Sequence, residues 1–443
     1  MESKSTSDLS QSLGPLTIWG LGVGYVISGM YFGWNLGLPH GGSYGFLAAT
    51  LLVTVLYICF VASYAELACM LPRAGGAFVY SERAFGPTIG FLTGIAQIIE
   101  FTFATPAIAA AIGAYFSLFF PELSPVQIGF AAYMIFTAIN IAGIKQSARF
   151  ELFITVFAVV ELLIFSAIAL PFFSWEAFSS NALPNGWLGI LPAIPYAIWF
   201  YLGIEGIANI AEEAKNPEKN LHRGFSLAMA TLIILALLVL FAAVGVNGWS
   251  NIVFAGEGKT TSDSPLPMAM FKIVGGNHIF YHLLVSIGLF GLIASFHGIM
   301  IAASRSIFEM GRSGFLPELV GRTMRKTQTP AWALIVNMII GMIALVSGKT
   351  GQLIILSVFG ALTLYIVSLL ALFRLRVSEK SLDRPYRTPL YPILPGIGVI
   401  LAGFCLCVMV FYEPWVGLVY IGVLLAAFVF GKNSLVSLRT KSF

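Results

Sequence analysis

The sequence predicts an all-α polytopic membrane protein with twelve transmembrane helices, and three observations carry that expectation. Of 443 residues, 58% are hydrophobic and only 10% charged, with a mean hydropathy of +0.89; soluble domains carry about 25% charged residues. The apolar residues fall in runs long enough to cross a hydrocarbon core of about 30 Å at 1.5 Å per residue. Finally, the basic residues sort to alternate connections between those runs, as they do in membrane proteins. Because the runs are apolar on all sides and do not alternate, they read as helices and not as barrel strands.

Twelve apolar stretches follow in order: Leu16–Leu38, Tyr44–Met70, Gly86–Phe120, Val126–Gly143, Phe150–Phe172, Leu188–Ala211, Phe225–Gly248, Ile279–Ser304, Ala331–Val346, Leu353–Phe373, Leu390–Phe411 and Trp415–Phe430. The third and eighth exceed a perpendicular crossing, so tilt is expected. An even number of crossings puts both termini on one side. That side takes 21 of the 24 Lys and Arg, and only Lys259, Lys272 and Lys349 fall on the other. Both termini are therefore expected in the cytoplasm, with the protein in the cell (inner) membrane. Residues 1–15 form a polar tail without the basic, apolar, small-residue order of a cleaved signal, so the first span is expected to act as its own targeting signal. Residues 432–443 form a second cytoplasmic tail. The connection Trp249 to Asn277, rich in Gly, Ser, Thr and Pro, reads as a partly ordered outer loop or lid.

Two spans carry breaks. The first holds Gly20, Gly22, Gly24, Gly29 and Gly33 at mid-membrane depth, and each glycine costs about 1 kcal/mol against alanine in a soluble helix. Close helix packing through small residues is one reading; a helix unwound near Ile27, Ser28 and Gly29 is the other. The sixth holds Pro192, Pro195, Gly203, Glu205 and Gly206. Interrupted helices at corresponding positions of two halves mark the binding site of an inverted-repeat transporter. The expected core is residues 16–374, a five-plus-five inverted repeat of spans one to five and six to ten. Residues 375–431 add two accessory spans.

Several segments resemble the amino acid–polyamine–organocation superfamily. They are Ala65 to Leu67 with Leu71 to Tyr80, then Glu212 to Pro217, then Ser304 to Ser306 with Gly314 to Pro317. The likeness spans about residues 15–430. His222 departs from it, standing where relatives often carry Pro. Within the superfamily, Gly22 to Leu38 and Ser295 to Gly298 are most similar to ethanolamine permeases. The resemblance implies alternating access around a central site walled by spans one, three, six and eight. It also implies a substrate that is a small amine, coupled to a proton or to an exchanged solute. An amino acid or polyamine permease or antiporter is the alternative in the same class. A channel or membrane sensor is the alternative from another.

A carboxylate near the bilayer centre costs at least about 2.5–3.5 kcal/mol on insertion scales, which makes it a functional candidate. Glu205 beside the second break resembles a glutamate tied to proton sensing or gating in antiporter relatives. Glu100 is a candidate cation or proton group. Glu161 lies about one turn after a position where some relatives carry a coupling lysine. Glu205 and Glu161 are thus the expected coupling acids, whereas Glu66 reads as structural, satisfied by water or Arg73. Tyr25, Phe103, Trp199, Phe200, Tyr201 and Phe296 offer ring faces to an ammonium, worth about 0.5–2 kcal/mol each. Ile27, Ser28, Gly29 and Gly203 would offer backbone groups. His297 is divided between site hydrogen bonding and a satisfied core residue. The four cysteines show no framework spacing. No metal-ligand pair, phosphate loop or other enzyme motif is present, so no cofactor, metal or nucleic-acid partner is expected beyond substrate and lipid. The sequence leaves the oligomeric state open.

Overall fold

A computed structural model of the chain describes residues 13–255 and 260–441, without the side chains of 144–149 and 432–441. Lys4, Lys145, Arg149, Lys259, Lys432, Arg439 and Lys441, which contribute to the charge sorting, therefore lie outside the described side chains. Among the described residues, nine helices are long and apolar enough to cross a membrane. They coincide with the expected second to fifth, seventh, eighth and tenth to twelfth spans. The remaining three stretches hold shorter apolar helices, Pro15–Val26, Trp187–Ile198 and Ala331–Leu345.

Local sequence sets the helix starts. Pro87, Pro125, Pro217 and Pro414 each open a long helix, where the missing N–H has no partner to lose. At Pro125 a capping box adds to this, with the Ser124 amide donating to Gln127 Oε1 at 3.2 Å. The third and eighth spans, Pro87–Ser117 and Ile279–Arg312, run 31 and 34 residues, as their long apolar stretches predict. The tenth, Thr350–Ser378, packs along the third. Large apolar side chains face outward on the last two spans, with Phe411, Trp415 and Phe430 each at least 78% exposed. Water would not tolerate that surface; lipid tails do.

Both predicted breaks are present, and the first is displaced. The first span is helical over Pro15–Val26, passes a turn at Ile27 and resumes over Ser28–Tyr31. Ile27 keeps right-handed helical angles. The backbone leaves the helix one turn later, at extended Phe32 and at Gly33 with φ 87°, before a 3-10 turn Trp34–Gly37. The sixth span is an α-helix over Ile190–Ile198, unwinds from Trp199 to Gly203 (φ 103°), and continues as a 3-10 helix Ile204–Glu213.

The connection from Trp249 to Asn277 is ordered where described. It contains a 3-10 turn Trp249–Ile252, a strand pair Phe254–Ala255 with Thr260–Thr261, and a helix Pro265–Val274. Asn35 Nδ2, fully buried, donates to the Ser262 carbonyl at 2.8 Å. Thr350 Oγ1 donates to Asp263 Oδ2 at 2.8 Å. These bonds strap the loop across the end of the first span at Asn35 and the start of the tenth at Thr350.

On the opposite face, charge does the joining. Arg305 is buried inside the eighth-span helix and faces Glu213 at 2.6 Å, so it is not a loop base as its spacing suggests. Arg312 reaches Glu212 at 2.8 Å and Glu309 at 2.5 Å. Glu66 is fully buried, and its partner is Arg376 instead of the expected water or Arg73. Arg376 Nε and Nη2 donate to it at 2.9 and 2.6 Å, and the Thr388 amide and hydroxyl each donate at 2.7 Å.

Candidate substrate site

The two breaks touch through glycine. A Cβ on Gly29 would overlap the Trp199 carbonyl, and one on Gly33 would lie 2.5 Å from the Trp199 indole nitrogen. Gly203 sits close to the Tyr25 carbonyl, and Gly206 lies against the Tyr25 ring. Only a residue without a side chain permits these approaches. The Tyr25 carbonyl is turned toward the eighth span, where the Ser295 hydroxyl donates to it at 2.6 Å. Ser28 and Ser295 hydroxyls are 2.7 Å apart, which extends that chain.

Glu205 caps the second break from within. Its Oε1 accepts the Gly203 amide at 3.0 Å and its Oε2 accepts the Tyr365 hydroxyl at 2.9 Å. Tyr365 and Tyr57 hydroxyls are 2.9 Å apart, the Tyr57 ring lies 5.2 Å from that of Tyr201, and Tyr201 meets Thr54 at 2.7 Å. Glu100, from the third span, turns its carboxyl to that of Glu205. It is fully buried, and among the described residues neither of its oxygens receives a hydrogen bond from a donor. Gly360 of the tenth span admits this approach, because a Cβ there would lie 2.8 Å from the Glu100 amide. Ser357 fixes the backbone by donating to the Glu100 carbonyl at 2.5 Å.

Two buried carboxyls side by side, next to unwound backbone and aromatic faces, are an arrangement for a cation or a shared proton. The Trp199 indole N–H is buried and lacks a partner among the described residues, so a ligand acceptor can take it. Its ring stands edge-on to Phe32 at 5.5 Å. Phe200 is instead stacked on Trp34 at 5.6 Å.

Other candidates lie elsewhere. Phe296 packs on Tyr133 and Phe136 of the fourth span, at 4.9 and 6.0 Å. Phe103 is partly buried on the third-span helix and joins none of the hydrogen-bonded groups. His297 pairs with Glu151 at 2.7 Å, in a cluster separate from Glu205. Glu161 accepts the Tyr31 hydroxyl at 2.5 Å, which ties the fifth span to the piece after the first turn. Tyr365, Tyr57, Tyr31 and Glu151 escape sequence reasoning. Only Glu151 carries a sequence signal, a carboxylate one residue inside the expected fifth span.

A family described as amino acid permease matches residues 13–431. The chain belongs to the amino acid permease family. Among relatives of this permease is an uncharacterized transporter of Rhizobium meliloti, 28% identical over 92% of this chain and 88% of its own. The methylthioribose transporter of Bacillus subtilis is 26% identical over 92% and 89%, and its serine/threonine exchanger SteT is 28% identical over 90% and 91%. The permease is thus a multi-pass membrane transporter of the amino acid–polyamine–organocation superfamily.

Proposed function

We propose that this permease is a secondary transporter importing ethanolamine or a closely related small amine by alternating access. The observation that carries the reading is the fully buried Glu100 carboxyl, without a donor and set against Glu205 beside both breaks. A primary ammonium supplies the missing donors, the Trp199 face supplies cation–π attraction, and a substrate hydroxyl accepts from the Trp199 indole. Arg305 supports the choice of an amine over an amino acid. It is the one fully buried Lys or Arg among the described residues, and Glu213 already faces it, so among those residues no unpaired buried cation stands ready for a substrate carboxylate.

The proposal includes twelve crossings, a five-plus-five inverted repeat and both termini in the cytoplasm. It rests on the paired breaks and on the sorting of Lys and Arg. Glu205 and Glu161 are the proposed coupling acids, each bonded to a tyrosine that belongs to or faces a broken span. Coupling is to a proton or to an exchanged solute.

A second reading, amino acid exchange, is favoured by the serine/threonine exchanger among the relatives. Competition separates the two. Purified permease in liposomes should take up labelled ethanolamine, and unlabelled ethanolamine should compete at least tenfold better than glycine, alanine or serine. Equal competition by serine would transfer the assignment to amino acids. Single cysteines at Lys326 and Lys349, placed in a cysteine-free background, should react with an impermeant maleimide from opposite faces; reaction from one face would contradict the crossing number.

A further inference from the structure

Between the Glu100–Glu205 pair and the face where Leu13 pairs with Ala214 lies a second buried polar group, made of neutral side chains. Gln97 stands one helical turn from Glu100 on the third span, so both project to the same side of that helix. Asn209 follows Glu205 along the 3-10 helix Ile204–Glu213, and Ser306 belongs to the eighth span. Gln97 Nε2 donates to Ser306 Oγ at 2.7 Å and to Asn209 Oδ1 at 3.2 Å, and Asn209 Nδ2 donates to Ser306 Oγ at 3.3 Å. One acceptor is left over: Gln97 Oε1 is buried and has no donor among the described residues. Arg305, the sequence neighbour of Ser306, faces Glu213. The cover over the triad is main chain. Gly76 has φ 51°, and a Cβ there would lie 2.6 Å from Asn209 Oδ1 and 3.1 Å from the Tyr64 hydroxyl, so conformation and space both demand glycine. The turn is tied down where the Ala74 amide donates to Glu212 Oε1 at 3.1 Å, an oxygen that Arg312 also holds.

An ammonium that moves from Glu100 and Glu205 toward this face gives up two carboxylates, and a buried cation without acceptors is strongly disfavoured. Gln97 Oε1 is the next open acceptor on the same helix face as Glu100. Asn209 Oδ1 becomes another once Gln97 Nε2 turns to Ser306 alone. The bond given up inside the triad is thereby replaced by bonds to the ammonium, so opening strands no buried group. Amide oxygens hold a cation less tightly than carboxylates do, which suits a position occupied in passing. We propose that Gln97, Asn209 and Ser306 form a second, transient binding position for a primary ammonium, one step from Glu205 toward the face that carries Leu13. This rests on the transport reading above and adds a waypoint on the path, made of residues that do not hold the substrate at the central site.

Two readouts on purified permease test this, with ethanolamine as the probe. In isothermal titration, Asn209→Asp should bind ethanolamine at least fivefold more tightly, because a carboxylate replaces an amide oxygen at the second position. Asn209→Leu removes that oxygen and should slow counterflow in liposomes at least tenfold. A role in packing alone would instead weaken binding and lower the melting temperature in both variants. In a cysteine-free background, Ser306→Cys should react with aminoethyl methanethiosulfonate, itself a primary ammonium, and saturating ethanolamine should slow the reaction at least fivefold. Adding Asn209→Asp should lower the half-protecting concentration at least fivefold. Binding by Asn209→Asp no tighter than that of the parent protein overturns the proposal. So does a Ser306→Cys thiol that fails to react, or whose rate ethanolamine leaves unchanged, even if neither Asn209 variant folds. A parent protein that binds serine and not ethanolamine, with serine protecting Ser306→Cys, would instead overturn the amine assignment and leave the second position supported.

Discussion

Gly29 of the first span is pressed against the backbone carbonyl of Trp199 in the sixth, so the two interrupted helices meet main chain to main chain. A side chain at position 29 would meet an atom that cannot rotate away. Gly29→Ala should therefore push the breaks apart. The expected result is at least a tenfold loss of uptake with the protein still inserted and monodisperse. Wild-type uptake by Gly29→Ala would show that the contact is dispensable.

Glu100 and Glu205 should respond differently to the same substitution. Glu205 accepts two hydrogen bonds through two oxygens, and glutamine can accept through only one. Glu205→Gln thus combines loss of charge with a lost bond, worth about 1–3 kcal/mol when buried. Glu100 accepts none from a donor, so Glu100→Gln removes charge with little structural cost. Thermal stability should fall in the first variant and hold in the second, while substrate affinity falls at least tenfold in both. Isothermal titration and a thermal melt, run on both proteins, check this.

These contrasts mark what could be read from the sequence. Glu100, Glu161 and Glu205 stand out because a carboxylate inside an apolar run has few structural reasons to be there. Their tyrosine partners do not stand out: with 16 tyrosines in the chain, nothing in a linear pattern selects Tyr365 or Tyr31. Glycine content announces that the first span is interrupted but not where, since a glycine also permits close packing. Here Gly20, Gly22, Gly24 and Gly29 are packing positions, and Gly33 carries the left-handed turn. Arg305 shows a similar limit. Spacing places it near a loop, while the helix extends to Arg312 and buries it against Glu213.

Glu66 should matter for stability and not for recognition. Glu66→Gln leaves the Arg376 guanidinium, 19% exposed, without its carboxylate. Breaking a buried pair costs about 3–5 kcal/mol, and the partial exposure of Arg376 places this change at or below the lower end. The melting temperature should drop by several degrees with the uptake KM unchanged. A KM shift at unchanged stability would contradict the structural role.

Asp263 should make the loop between Trp249 and Asn277 sensitive to pH. Burial pushes its carboxyl up from the usual 3.8 to about 6, and the Thr350 hydrogen bond only partly opposes this. Because the folded value lies above the ordinary one, the acid form favours the docked loop. That stabilisation is complete below about 3.8 and is lost as pH rises through about 6. Hydrogen exchange at residues 260–275, corrected for intrinsic rates, should slow between pH 7.5 and 5. Asp263→Asn should remove the pH dependence.

The most direct test of the central claim is counterflow in liposomes containing the purified permease. With unlabelled ethanolamine inside, entry of labelled ethanolamine should accelerate and transiently overshoot equilibrium, because a carrier returns faster loaded than empty. Glu100→Gln should abolish the overshoot. Entry that follows the gradient alone, with no acceleration by internal substrate, would contradict alternating access and favour a channel.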